Sequence, residues 1–248
     1  MRQNKYDDSA FFANYSNMPR SIGGLNAAGE WQAFRALLPE LNDKKILDIG
    51  CGFGWHCRYA REQQAQSVVG IDLSENMLER ARAMTNDSQI TYRRLAIEDM
   101  DFAAGEFDVV ISSLALHYVE HFHIICRKIY EYLVPGGTFV LSVEHPVFTS
   151  IPAQDWVYNS QGEKLHWPVD DYYSEGIRQT RFLENDVIKF HRTVATYMNA
   201  LLESGFQITK LSEPQPTAEM LANIPDMQDE LRRPMFLMIA AVKVEGPQ

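Results

Sequence analysis

An α/β fold is predicted for this chain: an open, mostly parallel sheet of seven strands with helices on both faces. Three observations predict it. Short apolar runs that read as buried strands alternate with segments of helical spacing from Lys45 to Val143. The first run feeds directly into Gly50-Cys51-Gly52-Phe53-Gly54, where glycines permit a tight turn and a close backbone approach to a ligand. The second run ends on an acid, Asp72, about twenty residues further on, the distance at which a carboxylate can meet a ribose across the sheet.

The elements follow in order. Phe11, Phe12 and Tyr15 lie at helical spacing and predict a short helix, followed by a loop through Met18 to Gly24. Glu30 to Leu38 reads as a helix burying Trp31, Phe34, Leu37 and Leu38, stopped by Pro39. Strands are expected at Ile46–Ile49, Val68–Ile71, Gln89–Arg93, Phe107–Ser112 and Thr138–Val143. A helix from Trp55 to Glu62 joins the first two strands. Ser74 is placed to cap the next helix, with Glu75 in its first turn, and a further helix spans Phe122 to Leu133. Val134-Pro135-Gly136-Gly137 reads as a turn before the fifth strand. Parallel strands joined in this way require right-handed crossovers.

After Val143 the rhythm breaks. Residues 145–190 are dense in aromatic side chains, with a β-hairpin expected from Trp156-Val157-Tyr158 and Lys164 to Val169. A helix returns from Arg192 to Glu203, with Gly205 at its C′ position. Strands six and seven are expected at Phe206–Leu211 and Met235–Lys243, separated by one or two short helices.

Composition narrows the function. The 248 residues carry a net charge of −10, which argues against a general nucleic-acid surface with its clustered lysines and arginines. Cys51, Cys57 and Cys126 lack metal-type pairing and fit a reduced, cytoplasmic protein. The longest apolar run, Met235 to Val242, is far short of the ~20 residues of a membrane span, and Met1 to Asp8 does not read as a signal peptide.

Two features separate the glycine loop from that of a dinucleotide-binding dehydrogenase. That fingerprint ends on a glycine where this chain has Trp55. Asp48 also precedes the glycines; it would repel a pyrophosphate and favour a ligand carrying an ammonium group.

Ile46-Leu47-Asp48-Ile49-Gly50-Cys51-Gly52-Phe53-Gly54, Gly70-Ile71-Asp72-Leu73-Ser74-Glu75-Asn76-Met77, Ala96-Ile97-Glu98-Asp99, Phe107-Asp108-Val109-Val110 and Leu133-Val134-Pro135-Gly136-Gly137 are five ordered motifs. Together they resemble the class I S-adenosylmethionine-dependent methyltransferases over about residues 40 to 145. The resemblance implies a Rossmann-like sheet with its last strand antiparallel. It implies S-adenosylmethionine as cofactor, with Gly50, Cys51 and Gly52 against its methionine and ribose and Asp72 on the ribose hydroxyls. Leu73 and Met77 would pack beside the adenine, Ile97 and Glu98 would meet its edge, and Ser113 and Leu114 would sit near the methionine end. Ala96 departs from the pattern, since many relatives carry an aspartate there.

The expected organisation is one methyltransferase domain: an N-terminal helical lid (1–40), a cofactor-binding core (41–144), a substrate-cap insertion (145–190) and a C-terminal helix and strands (191–248) with an insertion at 213–233. Tyr15 is a candidate to shield the sulfonium and Arg20 to pair with the cofactor carboxylate. The segment around these two, with Glu144-His145-Pro146 and His191-Arg192-Thr193, also resembles a bacterial methyltransferase subgroup of unassigned substrate. His117, His145 and His191 are the candidate bases or substrate contacts. His117, His121 and His123 are not expected to hold a metal, because helix spacing puts only the first two on one face and no carboxylate or cysteine completes the set.

Several of these positions have a structural reading as well: Asp48 bonding its own loop, Met77 in the core, Glu98 solvated, and the histidines satisfied by backbone or tying down the insertion. The acceptor is expected to be a small molecule, because the Asn/Asp-Pro-Pro-Tyr/Phe signature of amino-methylating nucleic-acid enzymes is absent after strand four, and the aromatic density of residues 1–30 and 145–190 points to an apolar, aromatic or cationic one. The competing functions are an NAD-dependent oxidoreductase and a non-catalytic S-adenosylmethionine-binding module.

Overall fold

A computed structural model describes residues 4–244. The chain opens with α1 (Ser9–Ser16), α2 (Pro19–Gly23) and α3 (Trp31–Arg35), then enters the sheet through β1 (Lys45–Ile49). There follow α4 (Trp55–Glu62), β2 (Ser67–Asp72), α5 (Glu75–Ala83), β3 (Ile90–Arg94), β4 (Phe107–Ser113), α6 (Phe122–Tyr132) and β5 (Leu133–Glu144). The inserted region contains α7 (Pro146–Thr149), β6 (Val157–Tyr158), β7 (Lys164–His166), β8 (Gly176–Phe182) and β9 (Asn185–His191). The chain closes with α8 (Val194–Glu203), β10 (Phe206–Ser212), α9 (Ala218–Asn223) and β11 (Phe236–Lys243).

Seven strands form the main sheet in the order β10-β11-β5-β4-β1-β2-β3. All neighbours from β5 to β3 pair parallel, whereas β11 runs antiparallel to both β5 and β10. The parallel strands are apolar on both sides, and their residues divide between two cores. Leu47, Ile49, Val110, Phe139 and Leu141 pack against Phe122, Ile125 and Ile129 of α6 and Tyr197 and Leu201 of α8. Ile46, Val109, Ile111 and Val140 face the other way, onto Trp31, Phe34, Cys57, Ala60 and Leu78.

Local chemistry fixes most element ends. Ser74 Oγ accepts from Met77 N at 3.2 Å and starts α5 as expected. Thr193 caps α8 in the same way, so that helix begins two residues later than predicted, at Val194. Gly205 ends it with φ near 96°, a left-handed conformation that suits glycine. β5 starts earlier than predicted, because Leu133 already pairs with Phe107 while Thr138 pairs with Val109. Pro135-Gly136-Gly137 is thus a bulge inside the strand instead of a turn before it.

The insertion departs most from expectation. The short β6–β7 hairpin is present, but a longer one, β8–β9, extends through residues 176–191, where only an aromatic-rich cap was foreseen. Its two-residue turn is Leu183-Glu184, and both residues are left-handed, at φ near 50° and 63°.

Candidate active site

A cavity of about 540 Å³ opens at the carboxyl ends of β1, β2, β4 and β5, the end at which open α/β sheets bind ligands. Gly50 and Gly52 line it, both left-handed, with φ near 72° and 52°. Gly50 N and Cys51 N both donate to Ile71 O at 2.9 Å, which folds the loop back over β2. A Cβ on Gly50 would lie 2.4 Å from that of Ala115, while a Cβ on Gly52 would meet nothing within 4 Å.

Asp72 anchors the loop from the next strand. Gly52 N donates to one carboxylate oxygen and Ser74 N to the other, each at 2.9 Å. Each oxygen keeps a lone pair, so the carboxylate can take two neighbouring hydroxyls at once. Burial raises its carboxyl above the ordinary value, and the Ser74 and Gly52 N–H groups oppose that rise. Leu73, Met77, Ala96, Ile97 and Glu98 continue the cavity wall beyond it, and Ser113 and Leu114 supply the wall at the end of β4. Leu114 is left-handed at φ near 55°, held by bonds from its N–H to Ser142 O and Oγ.

A smaller cavity of about 90 Å³ shares Tyr15, Arg20, Gly50, Gly52 and Ser113 with the first and adds Cys51, Glu30, Trp55 and His56. One buried donor there, Trp55 Nε1, has no partner in the protein. Arg20 does not stand as a lone cation, because it is ion-paired with buried Glu30. Tyr15 packs edge-on against Tyr6 and Phe53, with ring centroids 5.1 and 5.8 Å apart.

Three expectations need correction. Asp48 lies beneath the glycine loop and lines neither cavity. Its Oδ2 accepts from the Cys57 thiol at 3.2 Å, its Oδ1 has no partner, and burial pushes its carboxyl up to about 7. It therefore supports the loop from below and does not face a ligand. His145 also lies outside the cavity: it caps α7 by accepting from Val147 N at 3.0 Å and meets Glu213 at 2.8 Å. His191 is fully buried between Thr149 Oγ1 at 2.8 Å and Tyr172 O at 2.9 Å, where it ties the insertion together.

His117 does line the cavity. Its Nδ1 accepts from Glu144 N at 3.4 Å, which puts the proton on Nε2 and makes the neutral ring a donor there. Burial lowers its pKa to about 4, so it is uncharged at neutral pH.

The cavity also has walls that sequence reasoning missed. Glu144, at the end of β5, is ion-paired with Lys189 of β9 at 2.6 Å. Gln154 joins them, donating to Glu144 at 3.1 Å and accepting from Lys189 at 3.1 Å. Tyr6, Phe11, Tyr118, Phe148, Phe182 and Phe236 line the same cavity, with the Phe182 ring 5.5 Å from the Lys189 ammonium. The available signal was an acid ending a buried strand, the same one that marked Asp72.

A family profile described as a methyltransferase domain matches residues 47–141. A solved S-adenosylmethionine-dependent methyltransferase from Mesorhizobium loti shares 46% identity and a TM-score of 0.83, covering 88% of this chain and 100% of its own. The chain belongs to the class I S-adenosylmethionine-dependent methyltransferases. A Listeria monocytogenes structure assigned to the same class gives 52% identity and a TM-score of 0.85 over 90% of this methyltransferase and 100% of the other chain. An uncharacterised Haemophilus influenzae protein is 35% identical over 97% of each chain. The N-demethylindolmycin N-methyltransferase of Streptomyces griseus is 27% identical over 86% of this methyltransferase and 91% of its own length.

The residues of this methyltransferase fit S-adenosylmethionine. Asp72 offers both oxygens to a vicinal diol, Gly52 leaves open space over the loop, and the unpartnered Trp55 Nε1 donor faces the adjoining small cavity. Among the described residues, no group of three or more His, Cys, Asp or Glu side chains is arranged to hold a metal ion. No helix among them is long and apolar enough to cross a membrane.

Proposed function

We propose that this methyltransferase transfers a methyl group to a small-molecule acceptor held in the aromatic half of the large cavity. One observation carries the reading: the Gly50–Asp72 cradle and the aromatic chamber around Glu144 are parts of a single cavity. S-adenosylmethionine supplies an electrophilic methyl on its sulfonium; the protein's task is to place an acceptor in line with it. Asp72 holds the ribose diol, Leu73 and Met77 flank the adenine, and Ile97 and Glu98 meet its edge. Gly50, Cys51, Gly52, Ser113 and Leu114 border the methionine and sulfonium, with Tyr15 above and Arg20 toward the carboxylate.

Positioning of this kind contributes about 7 kcal/mol or more when the geometry is right. α1 and β8–β9 flank the cavity, and an acceptor filling it beside the cofactor would displace water and strengthen the electrostatics inside. Residues 1–40 thereby act as lid and 145–190 as substrate cap. The Phe11–Phe182 ring contact at 6.0 Å, where the two segments meet, supports that division. A small acceptor is favoured over nucleic acid by the net charge of −10 and by the named small-molecule enzyme among the relatives. Buried free cysteines fit a reducing, cytoplasmic setting.

The test is incubation with methyl-labelled S-adenosylmethionine and a fractionated metabolite extract. Label in a small-molecule fraction is expected. Label confined to RNA, DNA or protein, or cofactor binding without turnover across broad extracts, would contradict the reading.

A further inference from the structure

The acceptor chamber contains two buried charges, but they are not presented equally. The Lys189 side chain is 2% exposed and its ammonium is committed to Glu144 and Gln154, with the Phe182 ring 5.5 Å away. The Glu144 side chain is 15% exposed, and the surface it retains faces the cavity that it lines. Its Oε1 accepts from Lys189 and its Oε2 only from the neutral Gln154 amide, so a lone pair remains on each oxygen. Burial acts to raise its carboxyl, but attraction from His117 and Lys189 and the bonds from Lys189 and Gln154 prevail and hold it below the ordinary value. With His117 neutral near pH 7, Lys189 carries that attraction.

An ingoing molecule therefore meets a fixed carboxylate in a cavity also lined by the rings of Tyr6, Tyr118, Phe148 and Phe182. Aromatic faces and a carboxylate together suit a group that carries or acquires positive charge.

We propose that Glu144 is the acceptor-binding residue of this methyltransferase and that its acceptor is an amine on an aromatic or apolar body. The inference rests on the methyl-transfer reading above and specifies the nucleophile. The nitrogen enters as the ammonium paired with Glu144, releases one proton to solvent to free its lone pair for the methyl, and keeps an N–H bond to the carboxylate. As the N–C bond forms, the C–S bond of the sulfonium breaks, its electron pair stays on sulfur, and positive charge arrives on nitrogen. The Glu144 carboxylate stabilises that charge where it develops. No base on the protein is needed, which agrees with a His117 imidazole whose Nδ1 is occupied and whose Nε2 carries the proton. An acceptor bearing a carboxylate would instead depend on Arg181, an exposed cation on the same cavity.

The probes are phenethylamine and its matched analogues 3-phenylpropionate and 3-phenylpropan-1-ol. Each is titrated into protein saturated with S-adenosylhomocysteine and followed by calorimetry and thermal shift. Saturation is checked first by the thermal shift that S-adenosylhomocysteine itself produces. Phenethylamine is expected to bind at least tenfold more tightly than either analogue. Glu144→Gln should remove that preference by roughly tenfold or more, the loss of a charge-assisted hydrogen bond, while the S-adenosylhomocysteine shift persists.

Because Glu144→Gln strands a buried ammonium, Glu144→Gln/Lys189→Met provides a folded neutral pair, and Glu144→Asp should restore part of the amine preference. A normal S-adenosylhomocysteine shift with an amine that binds no better than its analogues overturns the proposal, as does a preference that survives in the double variant. Absence of the S-adenosylhomocysteine shift itself contradicts the cofactor reading, a separate failure.

Discussion

Asp72 and Asp48 are two acids at opposite faces of one loop, and their fates differ because only Asp72 lines the cavity while Asp48 is buried beneath it. Replacing Asp72 by alanine removes the proposed diol contact and the bonds to Gly52 and Ser74, and should weaken S-adenosylhomocysteine binding by roughly 1.5–3 kcal/mol in a calorimetric titration. Unchanged affinity would remove Asp72 from the site. Asp48 is tested by pH. Its carboxyl rises from 3.8 to about 7, so between those values the unfolded chain has released a proton that the folded chain retains, and stability falls as pH rises. His56 and His117, each lowered from 6.5 to about 4 by burial, act with the opposite sign, because there the unfolded chain holds the proton. Asp48→Asn removes only the falling contribution. Urea-derived stability of the variant should climb more steeply than that of the native protein from about pH 4.5 to about pH 6.5, by up to about 1.4 kcal/mol per pH unit. Parallel curves would show that Asp48 is ionised in the folded protein. Asp72 and the glycines were legible in the sequence because strand, turn and acid sit at fixed local spacing. The Glu144–Lys189 pair was not, since its members are 45 residues apart and meet only after β9 folds back.

The two covers of the cavity are secured by short-range chemistry that gives them separable tests. Asp7 accepts from Ser74 Oγ at 2.6 Å and from Asn76 N at 3.1 Å, tying the N-terminal segment to the positive end of α5. Burial opposes ionisation of Asp7, but these bonds outweigh it and hold the carboxyl below its ordinary value of 3.8. The tie is therefore present above that pH and is lost as pH falls through the lowered value. Asp7→Ala should expose residues 4–30 to limited proteolysis at neutral pH, at a stability cost of about 1 kcal/mol. Unaltered cleavage would show that α1 is held by aromatic packing alone. The β8–β9 turn carries the opposite kind of signal. Leu183 and Glu184 both occupy the left-handed region, which Asn-Gly would adopt with less strain. Leu183→Asn/Glu184→Gly should accordingly stabilise the hairpin by about 1 kcal/mol, read as a higher Tm. The hairpin escaped sequence reading for the same reason: the turn lacks Asn-Gly chemistry, and Arg178 to Arg181 show no apolar alternation.

At the scale of the whole molecule, the sheet was readable because each parallel strand is a nearly continuous apolar run feeding two cores at once. Those cores fix the carboxyl ends of β1, β2, β4 and β5 relative to one another, and the cavity forms where the ends diverge. The cofactor half of that cavity is built from the regular core and follows from local motifs. The acceptor half is built from irregular segments on either side of it, whose contacts arise only in three dimensions. A crystal structure with S-adenosylhomocysteine bound tests the joining of the two halves most directly. The ribose diol should lie within hydrogen-bond distance of both Asp72 oxygens, with the sulfur opening toward His117, Tyr118 and Glu144. A ligand bound away from the Gly50–Gly52 loop, or one whose sulfur turns from that chamber, would contradict it.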